Sequence, residues 1–278
     1  MLSYAVLFLA AVPAYAFDAA DLRAKANVAA VLNKIENGFT LSTTQPPYSL
    51  SEKKEGACDD DKLRFNCISV DLKIKDFANA GGKFTSDFKY NTDVDITNDS
   101  EEPSKIISKQ SKAIKVGTTK GWKIGAKFHA KGGKKDVFEG GGEVTGEYSK
   151  TETTETTTTT EITREGICRP QAECAIVTMS FFVEYAGKCT RKPYRYCDAA
   201  SGDRDWCKTY SWSPCPFERN FHSDNCNGKE YKTIDPCGFT APVLNDAGGQ
   251  FTKTLLVSRP LLAKKRGDFD DLIVEFLD

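Results

Sequence analysis

This 278-residue chain contains only two histidines and two methionines, and it has few long apolar runs. Neither His129 nor His222 stands near a recognisable nucleophile motif. General acid–base catalysis is therefore disfavoured, and we predict no enzymatic activity, no cofactor and no metal site. The net charge of −1 supplies no overall basic field, which argues against nucleic acid as a partner.

The N-terminus has the pattern of a cleaved secretory signal peptide over residues 1–16. Val6–Val12 form a short apolar run, and Ala14-Tyr15-Ala16 supplies the small-x-small cleavage pattern, with cleavage after Ala16. Ten cysteines also favour an oxidising compartment. We therefore predict a secreted, extracellular protein, in which the sequon at Asn98 is a candidate glycosylation site.

The mature chain divides by composition into four parts. An N-terminal helix and β segment covers 17–103, an amphipathic hairpin region 104–165, β strands with a cysteine-rich insert 166–259, and a tail 260–278. Asp18 can cap a helix over 18–36, which Asn37-Gly38 ends. Beyond it, apolar and polar residues alternate, as over 68–75, which predicts half-buried strands.

The hairpin region is defined by a reversal of charge. Ten lysines and no acidic residue lie within 104–135, whereas eight acidic and two basic residues lie within 136–165. Because cross-strand pairs of opposite charge stabilise a sheet, these halves are predicted to fold back on each other as a long antiparallel hairpin. Its tip is expected within 132–142, and the threonine-rich tract 151–163 is expected to be a strand because threonine favours extended backbone.

Each arm of this hairpin alternates apolar with polar residues over about ten positions, the length of a tilted membrane-crossing strand. The same alternation is typical of a soluble sheet with one buried face. The pattern alone therefore leaves both structures open. The triple glycine 140–142 would allow the hairpin to be mobile.

This region resembles the aerolysin-like β-pore-forming proteins, in particular the epsilon-toxin and mosquitocidal-toxin branch. The resemblance rests on Thr118–Gly125, Glu139–Glu143 and Gly146–Ser149, followed by the threonine-rich strand, Glu165-Gly166 and the apolar strand 175–185. It implies an elongated, mostly antiparallel β module whose hairpin is released on oligomerisation.

By this resemblance the inserting hairpin would span 121–148 and would enter a target-cell membrane. The resemblance assigns the membrane-inserting side chains to Trp122, Ile124, Phe128, Val137, Phe138, Val144 and Tyr148. It assigns the lumen-facing side chains to Lys123, Lys127, Glu143 and Glu147.

Eight of the ten cysteines lie between Cys168 and Cys237 without zinc-type spacing, so disulfides are favoured over metal. Cys58–Cys67 and Cys168–Cys174 are plausible local pairs. The disulfide candidates are Cys58, Cys67, Cys168, Cys174, Cys189, Cys197, Cys207, Cys215, Cys226 and Cys237. The insert lies between two predicted partner strands, 175–185 and 251–257, and both a receptor- or glycan-binding loop and a purely structural staple are compatible with it.

The tail carries a dibasic site at Lys264-Lys265-Arg266, and the apolar residues after it fall at helical spacing. Cleavage at Arg266 would free an acidic amphipathic peptide, an arrangement that resembles the removable C-terminal segment of some aerolysin-like proteins. The alternative is a C-terminal helix docked on the body.

Together these features predict a mostly β, elongated aerolysin-like module with a short N-terminal helix and a disulfide-rich insert. The predicted function is that of a secreted pore-forming toxin or virulence factor that forms homo-oligomers on target membranes, with a glycan or protein receptor as a candidate partner. The alternative is a secreted cysteine-rich binding or effector protein, lectin-like or host-targeting, that forms no pore. A secreted hydrolase with two paired carboxylates is a weaker third hypothesis.

Overall fold

The computed structural model describes residues 17–131, 139–146, 154–197, 202–210, 212–261 and 271–277. The helices in these residues are α1 (Ala19–Arg23), α2 (Ala26–Gly38), α3 (Asp59–Phe65), α4 (Trp206–Thr209) and α5 (Pro216–Asn225). The strands are β1 (Phe39–Leu41), β2 (Tyr48–Gly56), β3 (Ser69–Ala78), β4 (Lys83–Asn98), β5 (Ser104–Lys115), β6 (Trp122–Lys123), β7 (Gly125–Lys131), β8 (Glu139–Thr145), β9 (Thr156–Cys168), β10 (Ala172–Cys197), β11 (Arg204–Asp205), β12 (Cys226–Asn227), β13 (Glu230–Leu244), β14 (Thr252–Pro260) and β15 (Ile273–Phe276).

The predicted N-terminal helix is present but broken into α1 and α2. The Asp18 carboxylate accepts a hydrogen bond from the Ala20 N–H at 3.1 Å and so caps α1. In α2 the buried side chains include Val28, Leu32 and Ile35, which anchor the helix in the main core.

Strand β10 is the axis of the molecule. Its 26 residues correspond to roughly 85 Å of extended chain. On one edge it pairs antiparallel with β4 and then β3, and on the other edge with β14 and then β13. Three long stretches of chain therefore run side by side, and the predicted elongated, mostly antiparallel β fold is confirmed.

The two faces of β10 are covered by different layers. Ala175, Val177, Met179 and Phe181 belong to the main core, which α2 and the β7–β8 hairpin also enter. The opposite face carries Ile176, which packs in a smaller core beneath a separate two-stranded sheet made of β5 and β9.

A second domain-like unit, which we call the head, forms where β2, β3 and the C-terminal end of β10 meet α3, α4 and α5. Its own core contains Val70, Leu72, Trp206 and Phe221. Three disulfides brace the head, Cys58–Cys215, Cys67–Cys197 and Cys207–Cys226, and two more lie outside it, Cys168–Cys174 and Cys189–Cys237.

These pairings correct one expectation and confirm another. Cys168 pairs with Cys174 as expected, but Cys58 and Cys67 each pair with a distant partner rather than with each other. The reason is that α3 separates Cys58 from Cys67 and both face the cysteine-rich segment. Two disulfides, Cys58–Cys215 and Cys67–Cys197, therefore link the predicted disulfide-rich insert covalently to the N-terminal β segment.

Within the described part of the tail, Ile273–Phe276 form a strand, so the alternative of a docked C-terminal helix is wrong there. β15 pairs antiparallel with β14, with Phe276 opposite Leu255 and Ile273 opposite Ser258. β14 uses only one edge for β10, and its other edge offers backbone hydrogen bonds to the β-branched pair Ile273-Val274. In the part of the chain that the structure describes, no helix is long and apolar enough to cross a membrane.

Candidate functional site

The predicted hairpin is present as β7 and β8. The two strands pair antiparallel from Gly125 opposite Thr145 to Lys131 opposite Glu139, and Lys127 lies opposite Glu143. The charge reversal seen in the sequence therefore becomes a cross-strand pair of opposite charge. The residues between the strands, 132–138, lie outside the described part of the chain.

The apolar face of this hairpin is buried in the main core. Trp122, Ile124, Phe128 and Val144 expose between 0% and 6% of their surface. The Phe128 ring lies 5.5 Å from the Phe39 ring, centre to centre. In this conformation the alternation that could serve a membrane serves the protein's own core.

The polar face points outward. Lys127 and Glu143 are exposed and Lys123 is half-buried. Val137, Phe138, Glu147 and Tyr148 lie outside the described residues, so their predicted roles stay predictions. The cleavage positions Ala16 and Arg266 also lie outside them.

Two glycines of the hairpin are explained by close packing. A Cβ atom on Gly142 would come within 2.5 Å of the Phe39 ring and 2.6 Å of the Lys127 carbonyl oxygen. A Cβ on Gly146 would come within 2.5 Å of the Pro46 carbonyl oxygen. The glycines thus let β8 lie tightly against the body.

The hairpin region contains a second ladder outside the first. β5 pairs antiparallel with β9 from Ser104 opposite Cys168 to Lys115 opposite Thr156. The threonine tract is a strand from Thr156 onward, as predicted. The expected single long hairpin is therefore divided into an inner ladder, β7–β8, and an outer one, β5–β9.

The chain between the two ladders is held elsewhere. Trp122 and Lys123 pair with Ser49 and Tyr48 of β2. Thr119 donates its N–H to the Thr240 carbonyl at 3.2 Å and accepts the Thr240 N–H on its hydroxyl at 2.8 Å. Residues 119–123 of the first arm are therefore hydrogen-bonded to β2 and to Thr240 of β13.

A polar cluster that sequence reasoning missed lies where β5 crosses β4 and β10. The Asp93 carboxylate accepts hydrogen bonds from the Lys112 N–H at 2.8 Å and from the Thr178 hydroxyl at 2.5 Å. Ser180 accepts the Ile114 N–H at 2.9 Å. Burial raises the pKa of Asp93, against the lowering effect of these hydrogen bonds and of Lys112. The available sequence signal was the interruption of an apolar strand by Thr178 and Ser180.

The head encloses a buried ion cluster. Arg195 donates to the Asp61 carboxylate at 2.5 Å and also to the Glu218 carboxylate, and all three side chains are buried. Asp61 is thus the ion-pair partner of Arg195, and the three aspartates Asp59–Asp61 form the first turn of α3. Asp61 also lies beside Cys58 and Cys215, but these sulfurs form a disulfide and offer no thiolate to a metal.

The head also presents exposed apolar side chains. Leu63 exposes 86% of its surface, Ile68 80% and Trp212 70%. They lie on two segments that the Cys58–Cys215 disulfide joins. Exposed apolar side chains such as these are available for contact with a partner.

A second face of the head carries aromatic rings interleaved with lysines. The Lys75 ammonium lies 4.8 Å from the centre of the Tyr194 ring, and Lys192 lies 5.1 Å from that of Tyr231. The Tyr231 hydroxyl donates to Asp205, and burial together with this carboxylate raises the pKa of Tyr231 to about 12. Tyr231 therefore keeps its proton at neutral pH.

The predicted glycosylation of Asn98 conflicts with the fold. Asn98 is buried, and its Nδ2 donates to the carbonyls of Glu102 at 2.9 Å, Arg169 at 2.9 Å and Cys168 at 3.3 Å. A glycan on Nδ2 would displace these contacts, so it is incompatible with the described conformation.

Comparison with known proteins gives weak matches. No protein-family model matches the chain, and no curated protein matches it. The crystal structure of the Cry23Aa1 and Cry37Aa1 binary protein complex is 12% identical over 79% of this chain and 93% of that chain, with a TM-score of 0.20. The parasporin-2 Bacillus thuringiensis toxin that recognises cancer cells is 13% identical over 85% of this chain and 86% of that chain, with a TM-score of 0.19.

Similarities this low carry no argument about fold or function. The epsilon-toxin and mosquitocidal-toxin branch gains no support from them. The class of the protein rests on its own strand order: an elongated, mostly antiparallel β protein with a disulfide-braced head.

Proposed function

We propose that the protein is a secreted, aerolysin-like pore-forming protein that assembles into homo-oligomers on a target-cell membrane and inserts the 121–148 hairpin. In this proposal Trp122, Ile124, Phe128 and Val144 leave the core and face lipid, together with Val137, Phe138 and Tyr148. Lys123, Lys127, Glu143 and Glu147 line the lumen. The protein acts by assembly and breaks no bond.

The observation that carries the proposal is that the registers of the two ladders differ by only one residue. The last outer pair, Lys115 opposite Thr156, and the first inner pair, Gly125 opposite Thr145, leave nine residues on one arm (116–124) and ten on the other (146–155). Two ladders separated by nearly equal arms can join into one hairpin over 104–168 if a β-bulge takes up the one extra residue in the second arm.

A joined hairpin would be long enough for the task. Each arm would contain about thirty residues, whereas crossing the hydrocarbon core takes about ten in a tilted strand. The apolar face that now covers the core would pass from protein to lipid rather than to water. This exchange preserves most of the benefit of burying apolar groups.

The test is to lock the hairpin to the body. Thr40 of β1 lies opposite Glu143 of β8 in register, so Thr40→Cys with Glu143→Cys places two thiols for a disulfide. The measurement is dye release from liposomes that carry extracts of candidate target cells. We expect the oxidised lock to abolish release and reduction to restore it.

The matched control is Lys127→Cys with Glu143→Cys, which links the two hairpin arms to each other. Those arms stay paired after insertion, so this variant is expected to release dye when oxidised. Wild-type protein under the same reductant controls for the native disulfides. Undiminished release by the oxidised hairpin-to-body lock would refute insertion of this hairpin.

A second candidate function is that of a secreted binding protein that forms no pore. The observation that favours it is the exposure of three large apolar side chains of the head, Leu63, Ile68 and Trp212. In that case Leu63→Ser with Trp212→Ser should abolish binding of labelled protein to target cells, whereas the exposed head lysine Lys229→Ser should not. Folded wild-type protein that binds cells in this way but never releases dye would favour this function over pore formation.

A further inference from the structure

In the head, the pair of strands β3 and β10 turns one side to the head core and the other side outward. Leu72 of β3 is buried in the head core. Because successive side chains of a strand alternate between its two sides, Lys73 and Lys75 lie on the outer side. Across from them on β10 lie Lys192 and Tyr194, on the same side of the sheet. We call the surface formed by these three lysines and Tyr194 the lysine face.

Two lysines of this face lie directly opposite each other. Lys75 and Lys192, which we call the lysine pair, are partners in the β3–β10 register. Like charges directly opposite each other destabilise a sheet. The Lys75 side chain exposes only 24% of its surface, and water and salt screen partly buried charges less than fully exposed ones. The fold therefore keeps two positive charges together at a place where their repulsion costs stability.

Aromatic rings hold the two ammonium groups without neutralising them. The Lys75 ammonium lies 4.8 Å from the centre of the Tyr194 ring. The Lys192 ammonium lies 5.1 Å from the centre of the Phe77 ring and 5.1 Å from that of Tyr231. A ring attracts a cation through its quadrupole but has no net charge, so the positive charges remain. Packing on the rings also restricts the long lysine side chains, which lowers the entropic cost of binding an anion between them.

Carboxylates border the lysine pair on one side. The Asp203 carboxylate accepts a hydrogen bond from the Lys73 ammonium at 3.1 Å and lies 3.7 Å from the Lys75 ammonium. The charges of Glu52 and Asp71 also act on Lys73. A surface that mixes both signs in this way repels a uniformly anionic surface in part. A sugar chain suits it better, because its hydroxyl groups donate hydrogen bonds to carboxylates while an acidic group on the same sugar contacts the lysines.

We propose that the lysine face binds an acidic glycan, with a sulfate or carboxylate group of the sugar between Lys75 and Lys192 and neighbouring hydroxyl groups on Asp203. The ligand neutralises the lysine pair and so removes the repulsion that the free protein contains. As the contact that brings the protein to a target cell, this inference rests on the proposed function. Binding itself requires neither assembly nor insertion and can be measured in the free protein.

Calorimetric titration of the chain from residue 17 onward with a heparin tetrasaccharide tests the site, at low ionic strength because salt screens such contacts. We expect Lys75→Gln with Lys192→Gln to weaken binding by about tenfold or more. The matched control, Lys62→Gln with Lys229→Gln, removes the same charge from exposed lysines elsewhere on the head and should change the affinity by less than about twofold. Absence of binding by wild-type protein, unchanged affinity in the first variant or an equal loss in both variants would overturn the proposal.

Two further probes identify the kind of ligand. Maltotetraose is a neutral oligosaccharide that offers no anion to the lysine pair, so it should bind about tenfold or more weakly than the heparin tetrasaccharide. Equal affinity for both would refute the role of the acidic group. Vesicles of phosphatidylcholine with phosphatidylserine present anionic groups without a sugar. If wild-type protein binds these vesicles through Lys75 and Lys192 but does not bind the tetrasaccharide, the site belongs to an anionic lipid and the glycan assignment is overturned.

Thermal unfolding separates a ligand-binding role from a purely structural one. Lys192→Gln relieves the repulsion from Lys75, so its melting temperature should equal or exceed that of wild type. A lower melting temperature with unchanged affinity for the tetrasaccharide would mean that Lys192 only stabilises the sheet through Phe77 and Tyr231, which would overturn the proposal. Lysine-dependent glycan binding by a protein that never releases dye would uphold this site and refute the proposed pore. Dye release without glycan binding would refute this inference alone.

Discussion

Truncating Phe128 tests whether the apolar face of the hairpin is part of the core in the free protein. The side chain exposes 1% of its surface and lies between the rings of Phe39, at 5.5 Å, and Phe251, at 5.7 Å. Phe128→Ala removes the ring and leaves a cavity between the rings of Phe39 and Phe251. A substitution of this kind costs roughly 3–5 kcal/mol of unfolding free energy.

The assay is urea unfolding of the chain from residue 17 onward, monitored by circular dichroism. His129→Ala is the control, because His129 is the next residue on the same strand but faces solvent beside Asp246. We expect the control to change the unfolding free energy by about 0.5 kcal/mol or less. A loss below about 1 kcal/mol for Phe128→Ala would refute the assignment, because it would mean that the hairpin is already detached from the core in solution.

Three further predictions concern the rest of the fold. Arg195→Met leaves the buried carboxylates of Asp61 and Glu218 without their cation, so thermal and urea unfolding should show a loss of roughly 3–5 kcal/mol, and an unchanged protein would contradict the buried cluster. Burial raises the pKa of Asp93, and Lys112 is the charged group that faces it. The contacts of Asp93 and Ser180 with β5 should therefore be most stable at pH values below the ordinary carboxyl pKa, and they should weaken as the pH rises through the raised pKa. Amide exchange at Ile114, corrected for its intrinsic rate, should show this pH dependence in wild type and not in Asp93→Asn. Protein secreted from a glycosylating host should carry no glycan at Asn98, so a mass shift on enzymatic deglycosylation would contradict the buried side chain.

Much of the hairpin region follows from local pattern. A period of two in Trp122–Lys131 specifies a strand with one apolar face, because successive side chains of extended backbone point to opposite sides. The reversal of charge after 135 specifies which segments pair. Structure and sequence agree there because both features depend on neighbours in the chain.

Elsewhere a pattern was compatible with two structures. The spacing in 272–277 suits a helix, yet the segment is a strand because β14 offers it an unpaired edge. The sequon at Asn98 is complete, yet its amide nitrogen is occupied by three carbonyls from other parts of the chain. In each case the deciding partner is remote in sequence.

The sequence by itself therefore determined the β character, the amphipathic hairpin and the commitment of its cysteines to disulfides. Only the tertiary structure decided that the apolar face of the hairpin lies in the core, that Cys58 pairs with Cys215 across 157 residues, and that Asp93 reaches β5. The physical reason is that backbone periodicity sets which side of a strand is apolar, whereas what covers that side depends on surfaces that meet only when the chain has folded.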